Sequence, residues 1–185
     1  MTLPNLITLM RVGLVPLVVL AMVSGNMGWA LAGFLVAGIS DAVDGYLARR
    51  LGQESELGAY IDPIADKLLL VSVFVVMGLT GELPVWLVVL FVSRDGLIVG
   101  AVVLSSVMGQ PVAIRPLPIS KATTAAQIGL AALVLTELAF DIAIGPARDI
   151  AVIATALLTV ASTAAYLVAW LKHMGDDGRS EGSRD

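Results

Sequence analysis

Residues 41–66 of the chain read DAVDGYLARRLGQESELGAYIDPIAD. In a helix, Asp41 and Asp44 at spacing i,i+3 share one face, and so do Asp62 and Asp66 at spacing i,i+4. An apolar run precedes the first pair and another follows the second, with a short polar segment between the pairs. The pattern predicts two membrane helices joined by a turn, with both acid pairs near the same side of the bilayer.

The composition places this chain in a membrane. Of its 185 residues, 58% are hydrophobic and 14% are charged, and the mean hydropathy is +0.93. An ordinary soluble domain is about half apolar and a quarter charged. The net charge of −4 and the lack of a basic patch exclude nucleic acid as a partner. With no cysteine and a single histidine, His173, near the C-terminus, thiol and histidine chemistry are disfavoured.

The predicted fold class is all-α, a polytopic membrane protein with six transmembrane helices. Clusters of turn-forming residues separate six apolar runs, each close to the 20 or so residues that span a bilayer. The predicted spans are 5–24, 29–50, 57–79, 83–108, 120–139 and 147–172. No internal repeat is apparent, so we expect one transmembrane domain over residues 1–174 and a disordered polar tail over 175–185.

The basic residues predict the orientation. With six spans both termini share a side, and the positive-inside rule makes that side the cytoplasm. Only Arg148 then falls in an outer loop. The basic residues inside or at the cytoplasmic edge are Arg49, Arg50, Arg115, Lys121, Lys172, Arg179 and Arg184. The N-terminus lacks the basic region of a secretory signal, so we expect the first apolar run to be retained in the inner membrane of a bacterium.

The four aspartates predict a metal centre. A carboxylate at mid-span costs roughly 2.5–3.5 kcal/mol on an insertion scale, and the repulsion between the four adds to that cost. One or two divalent cations with oxygen ligands would offset it, and Mg²⁺ or Mn²⁺ is favoured over zinc because no soft ligand is present. Such a centre suits phosphoryl chemistry, because it clamps charged oxygens and stabilises a leaving group.

At this point the sequence resembles a known family. The pattern Asp-x2-Asp-Gly-x2-Ala-Arg-x8-Gly-x3-Asp-x3-Asp over residues 41–66 is similar to the signature of the CDP-alcohol phosphatidyltransferases, and every fixed position is filled. The six-span layout and the opening Leu-Pro-Asn-Leu-Ile-Thr-Leu-Met-Arg extend the resemblance over nearly the whole chain.

The resemblance implies a role for each position of the motif. Asp41, Asp44, Asp62 and Asp66 would bind a metal pair, and Asp66 would also take the proton of the acceptor hydroxyl. The residues that would contact the CDP group are Asp41, Asp44, Gly45, Ala48, Arg49 and Gly58. The donor would be CDP-diacylglycerol, CMP would leave, and the enzyme would be a homodimer. From the residues alone, glycine and alanine at this spacing can also mean close helix packing.

A second stretch bears on the acceptor alcohol. Residues 119–127 are similar to the Ile-Ser-Lys-x2-Thr-x2-Gln stretch of the CMP-forming cardiolipin synthases, which use phosphatidylglycerol. Relatives that use glycerol 3-phosphate carry a lysine and an arginine where this chain has Thr123 and Val102. A dianionic acceptor needs several charge-assisted contacts, and a phosphodiester needs fewer. The expected function is therefore cardiolipin synthesis, with phosphatidylglycerol phosphate synthesis as the alternative.

The predicted acceptor contacts are Arg94, Arg115 and Lys121, and each has a second interpretation. Arg94 could pair internally with Asp95 or with another helix, because an arginine inside a span needs a partner. Lys121 could extend to the interface, and Arg115 could be a solvated loop charge. Asn5, Thr8 and Arg11 could face the same pocket or could cap and anchor the first helix.

A different class of protein, a cation transporter, could also use a cluster of aspartates. Transporters often contain inverted repeats and helices broken at mid-membrane. Here Gly and Pro fall mostly between the spans, although Pro16 and Pro63 lie inside them. We therefore consider the transporter a remote alternative.

Overall fold

The computed structural model describes the backbone of residues 3–51, 56–107 and 117–181, and the side chains of residues 10–40, 67–101 and 117–171. The described backbone forms six α-helices and contains no strand, which confirms the all-α prediction for this part of the chain. The helices are α1 Leu3–Val23, α2 Met27–Leu51, α3 Glu56–Leu79, α4 Val85–Val107, α5 Pro118–Phe140 and α6 Pro146–Glu181.

Each predicted span coincides with one helix, and most ends agree to within a few residues. Pro118 and Pro146 are the first residues of α5 and α6, where a fixed φ and a missing N–H cost nothing. The exception is the end of α6, which extends to Glu181 and so into the predicted tail. The division of the chain at residue 174 stays a prediction. Two of the turn clusters predicted between spans, Gly52-Gln53-Glu54 after the second and Gly109-Gln110-Pro111 after the fourth, lie outside the described residues.

Three helices, α1, α3 and α5, end in the same way. After α1, the N–H of Asn26 donates to the carbonyl of Ala21 at 2.8 Å, with Gly25 left-handed at φ 73°. This is the Schellman motif, which satisfies carbonyl groups that the helix itself leaves open. The same hydrogen bond closes α3 at 2.8 Å and α5 at 3.1 Å, with Gly81 and Asp141 at φ 80° and 52°. These motifs explain why the predicted turn clusters end the helices where they do.

Arg148 joins the ends of α3 and α5. It lies in the first turn of α6, and its guanidinium donates to Glu137 at 3.1 Å and to Glu82 at 3.4 Å. The three side chains are between 17% and 29% exposed, so water screens the pairs in part. The positive-inside pattern predicts an outer loop for Arg148, whereas the structure has it in the first turn of α6 with two acidic partners.

Two compact units divide the chain. The first comprises Met1–Val85 and Ile128–Arg148, and the second comprises Trp86–Gln127 and Asp149–Asp185. In the first unit α1 packs against both α2 and α3, the helices that carry the four aspartates. Its largest buried side chains include Phe74, Met77 and Leu130, together with Arg11, which is 1% exposed.

The second unit has a more polar interior. Its apolar part includes Leu87 and Phe91 of α4. Six polar side chains in this unit are at most 3% exposed, namely Arg94, Thr123, Gln127, Thr155, Thr159 and Ser162. Among the described side chains, most of the buried polar groups therefore lie in the second unit.

Large apolar side chains cover the outer surface of the described helices. Leu17, Leu20, Ile153 and Leu157 are each at least 57% exposed. Pro118–Phe140 and Pro146–Leu171 are each long and apolar enough to cross a bilayer, and shorter apolar segments occupy α1, α2 and α3 among the described residues. Exposed apolar area of this extent is typical of a surface that contacts lipid rather than water.

The contact between α1 and α2 gives a test of the packing. A Cβ atom added to Gly33 would lie 2.8 Å from the Cγ2 atom of Val18, whereas one added to Gly38 on the same helix would meet nothing within 4 Å. We expect Gly33→Val to lower the free energy of unfolding by about 1–3 kcal/mol through overpacking. Thermal unfolding in detergent would measure it.

The matched control is Gly38→Val, which changes the same residue type on the same helix without the steric overlap. It should stay within about 0.5 kcal/mol of the parent protein. Equal loss of stability in both variants would contradict the α1–α2 contact.

Candidate active site

The backbone of α2 and α3 carries the four aspartates in the register that the sequence predicts. Asp41 and Asp44 lie on α2, and Asp62 and Asp66 lie on α3. Because these segments are helical, the i,i+3 and i,i+4 spacings keep each pair on one face. The side chains lie outside the described residues, so their roles as metal ligands and base stay predictions.

The other positions of the motif fall on the same two helices. Gly45, Ala48 and Arg49 lie on α2, and Gly58 lies in the first turn of α3. Their side-chain environment is outside the described part, as is Arg115 altogether. Among the side chains that are described, no group of three or more His, Cys, Asp or Glu residues could hold a metal ion.

Arg94 is the centre of a hydrogen-bonded cluster in the second unit. It is 3% exposed. One terminal nitrogen, Nη1, donates to Asp95 Oδ1 at 2.7 Å, and the other, Nη2, donates to Ser120 Oγ at 2.6 Å and to Ser162 Oγ at 3.1 Å. The internal pairing with Asp95 and with other helices that the sequence left open is therefore present, and it joins α4, α5 and α6.

One donor of Arg94 is not used within this cluster. Its Nε atom is buried and has no hydrogen-bond partner among the described residues. A buried donor without a partner costs about 1–3 kcal/mol, and more when the group is charged. The Nε–H group can therefore donate to a ligand oxygen while the terminal nitrogens keep their partners.

Two further contacts join the same faces of α5 and α6. The N–H of Leu117 donates to the Tyr166 hydroxyl at 3.4 Å. The Thr123 hydroxyl shares its proton between the carbonyl of Ile119 in its own helix, at 2.8 Å, and the carbonyl of Leu158 in α6, at 3.1 Å. These contacts lie on either side of the Arg94 cluster. Along the two antiparallel segments, Leu117 pairs with Tyr166, Ser120 and Ser162 meet at Arg94, and Thr123 pairs with Leu158. We call the three levels together the α5–α6 seam.

Lys121 follows Ser120 and lies about 100° further around α5. It is exposed, as is Thr124 one turn later, whereas Ser120 is half-buried and Thr123 is 0% exposed. The structure thus brings Arg94 together with the serine next to Lys121. Of the predicted acceptor contacts, it places Arg94 inside and Lys121 on an accessible face.

Sequence reasoning missed Ser162 and Tyr166. The signal was present, because Thr155, Thr159 and Ser162 repeat at i,i+4,i+7 along α6, and that spacing places polar groups on one helix face. The spacing does not identify the partner of Ser162, because that partner, Arg94, lies on α4 and is distant in the sequence.

A cavity of about 510 Å³ opens at the turn between α1 and α2. Gly25, Asn26, Trp29 and Leu138 are among the residues that line it. Asp41 and Asp44 lie in the C-terminal half of α2, away from this turn. The cavity therefore does not contain the residues that the sequence predicts for the active site.

Comparison with known proteins agrees with the motif. The family model for CDP-alcohol phosphatidyltransferase matches residues 1–171. A Bacillus subtilis protein described as CDP-diacylglycerol–glycerol-3-phosphate 3-phosphatidyltransferase is 33% identical over 177 residues, which cover 86% of this chain and 90% of that protein. This chain belongs to the CDP-alcohol phosphatidyltransferase family.

Other relatives carry a different description. A human protein described as cardiolipin synthase (CMP-forming) is 31% identical over 181 residues, covering 89% of this chain and 60% of its own length. A Mycobacterium tuberculosis protein described as "Putative cardiolipin synthase" is 41% identical over 101 residues, 54% of this chain. The match spans 48% of the length of that mycobacterial relative.

The Arg94 cluster predicts a large stability effect. Arg94→Ala removes a buried ion pair and two further hydrogen bonds, so we expect it to lower the free energy of unfolding by about 3 kcal/mol. Lys121→Ala removes an exposed charge from the adjoining helix and should change it by less than about 0.5 kcal/mol. Titration with a denaturing detergent would measure both, and an equal effect would argue against the cluster.

Proposed function

We propose that this protein is a cardiolipin synthase, which transfers the phosphatidyl group of CDP-diacylglycerol to phosphatidylglycerol. The acceptor hydroxyl loses its proton, and its oxygen forms a bond to the phosphorus that carries diacylglycerol. The bond from that phosphorus to the bridging oxygen breaks, and CMP leaves with the electron pair. Membership of the family and the complete motif over residues 41–66 support this class of reaction.

The choice of acceptor rests on Thr123. Relatives that use glycerol 3-phosphate resemble this chain but carry a lysine at that position. Here the side chain is 0% exposed and its hydroxyl donates to the carbonyl of Leu158, so the position is part of helix packing. Lys121 is then the only cation in residues 117–127. One cation in this stretch matches a phosphodiester acceptor with a single negative charge better than a dianionic phosphomonoester.

The second candidate is phosphatidylglycerol phosphate synthesis, with glycerol 3-phosphate as acceptor. The Bacillus subtilis relative supports it, because its description names that acceptor and the match covers 90% of its length. Both candidates share the donor, the leaving group and the motif residues, so they differ only in the residues that contact the acceptor. The cation transporter has no support from any relative described above.

The family generally depends on a divalent metal. The donor set here fits such a metal, because Asp41, Asp44, Asp62 and Asp66 offer only carboxylate oxygens, which Mg²⁺ and Mn²⁺ prefer. We assign these four residues to two such ions. When bound, the ions would neutralise the charge that builds up on the pyrophosphate oxygens. Asp66 would also accept the proton of the acceptor hydroxyl, the role that the resemblance implies for it.

Residues beside the aspartates would bind the nucleotide. Gly45, Ala48 and Gly58 are small enough for a ligand to approach the helix backbone. Arg49 would contact a phosphate, because a planar guanidinium can make two parallel hydrogen bonds to it. Asp41 and Asp44 would face the CDP group as well as the metal.

Arg94, Arg115 and Lys121 would bind the phosphate of the acceptor. The unused Nε of Arg94 and the exposed position of Lys121 support two of these assignments. Each would contribute a charge-assisted hydrogen bond, which is about twice as strong as a neutral one.

We also propose that all six helices span the inner membrane of a bacterium, with both termini and the active site on the cytoplasmic side. Each helix has at least 21 residues, enough to cross roughly 30 Å of hydrocarbon. The basic residues are concentrated on that side. The catalytic domain would occupy residues 1–174, residues 175–185 would form a polar tail, and the enzyme would act as a homodimer.

The decisive measurement is the identity of the lipid product. Purified protein would be given CDP-diacylglycerol and either phosphatidylglycerol or glycerol 3-phosphate, and lipids would be identified by mass spectrometry. We expect cardiolipin with the first acceptor and CMP in equal amount. A matched reaction with a chelator should release no CMP, and Mg²⁺ or Mn²⁺ should restore it. Phosphatidylglycerol phosphate as the product would replace our choice by the second candidate.

The base assignment predicts that Asp66→Asn keeps the fold and loses turnover by about a thousandfold, within the usual range for removal of a general base. CMP release at saturating substrate would measure the loss, and circular dichroism would check the helices. The matched control is Asp149→Asn, since Asp149 is an exposed acid in the first turn of α6. Full activity of Asp66→Asn would remove Asp66 from the mechanism.

A further inference from the structure

We propose that Ser162 of α6 and Ser120 of α5 are positioning residues for acceptor binding, and that they act by holding the guanidinium of Arg94. This inference rests on the proposed function, in which Arg94 contacts the phosphate of the acceptor. Neither serine touches the donor or the reacting atoms in this assignment. They fix the position of the Nε–H group of Arg94, which is the donor left for the acceptor phosphate.

The geometry makes the two serines a matched pair. Both accept from the same nitrogen, Nη2, at 2.6 Å and 3.1 Å, so they hold it from two different helices. Asp95 accepts from Nη1 at 2.7 Å and holds the other terminal nitrogen. A guanidinium is planar and rigid, so fixing both terminal nitrogens also fixes the direction of the Nε–H bond.

Burial makes the arrangement effective. Ser162 is 0% exposed and Arg94 is 3% exposed, so water cannot readily replace a lost partner. A hydrogen bond to a charged group is stronger than one between neutral groups, so loss of one partner in such a place would let the side chain move. Without these partners, an arginine side chain would lose rotamer freedom when it binds a ligand.

The seam extends this restraint to Lys121. Leu117 and Thr123 are tied to α6 at Tyr166 and Leu158, on either side of the Ser162 level. These contacts set the rotation of the first turns of α5 about its axis. Because Lys121 follows Ser120 directly, that rotation determines where the ammonium group can reach.

The test is the kinetics of Ser162→Ala with both substrates varied. We expect KM for the acceptor to rise about tenfold, the effect of one hydrogen bond to a charged group. KM for CDP-diacylglycerol and kcat at saturating acceptor should stay within about twofold of the parent enzyme, because Ser162 touches neither the donor nor the chemistry. Ser120→Ala should show the same pattern.

The matched control is Thr163→Ala. Thr163 is the next residue of α6, and its hydroxyl donates at 2.8 Å to the carbonyl of Thr159 in its own helix. It loses a hydroxyl at the same depth without touching Arg94, so its acceptor KM should not change.

A double-mutant cycle separates positioning from simple packing. In an Arg94→Met background, which keeps most of the side-chain volume, Ser162→Ala should raise the acceptor KM no further, because the group that it positions is gone. If Arg94→Met does not fold, Ser162→Thr takes its place, and restoration of the acceptor KM by the retained hydroxyl is the expected result.

Two results would overturn the inference. One is a folded Ser162→Ala enzyme with an unchanged acceptor KM, and the other is an equal rise in KM for both substrates. In each case the parent enzyme still makes product, so the proposed function stands. A parent protein that releases no CMP with either acceptor would instead overturn the proposed function, and this inference with it.

Discussion

The interior of a bilayer offers no hydrogen-bond partners, so every polar group placed there must find one within the protein. Most buried hydroxyl groups of the described helices meet this constraint within their own helix. Buried hydroxyls of α6 donate to carbonyls one turn earlier in their own helix, as Thr155 does to Ala151 and Thr159 does to Thr155, each at 2.7 Å. These hydroxyl groups make their hydrogen bonds within one helix and do not connect it to its neighbours. Only the polar contacts between different helices show how the helices are held together.

Those crossing contacts fall into two kinds. Arg148 and its two glutamates are partly exposed, so salt and water weaken the pairs, and they act mainly to join helix ends. Arg94 is almost fully buried, and its partners come from α4, α5 and α6. An arginine in that position is expensive, and the arrangement around it satisfies most of its donors but not Nε. A protein that needed only a tie between helices could use neutral hydroxyls, as it does at Thr123.

The sequence alone was sufficient for the described helices and for the turns that end α1 and α3. Apolar length and clusters such as Ser24-Gly25-Asn26 are local signals, and the hydrogen bonds that end α1 and α3 lie within a few residues of one another. The predicted span 147–172 agrees with the apolar stretch Pro146–Leu171, and the backbone continues as helix through the polar residues that follow, to Glu181. Composition reports solubility more directly than it reports backbone conformation.

The candidate site was predictable in part. The motif over residues 41–66 is local, and the family assignment that it indicated is confirmed by the match over residues 1–171. Ser162 could not be assigned from the sequence, since its partner Arg94 is far away in the chain and nothing in the spacing of α6 identifies an arginine. Thr163 is also a hydroxyl residue at the next position, and only the rotation of the packed helix shows which of the two faces Arg94.

The Schellman turn between α1 and α2 bears on how the chain enters the membrane. Only Ser24, Gly25 and Asn26 separate the two helices, and the backbone groups of that turn are already hydrogen-bonded to the end of α1. Three residues are too few to cross the bilayer, and they keep the start of α2 next to the end of α1. In the proposed six-span arrangement, α1 and α2 would therefore insert together as one helical hairpin.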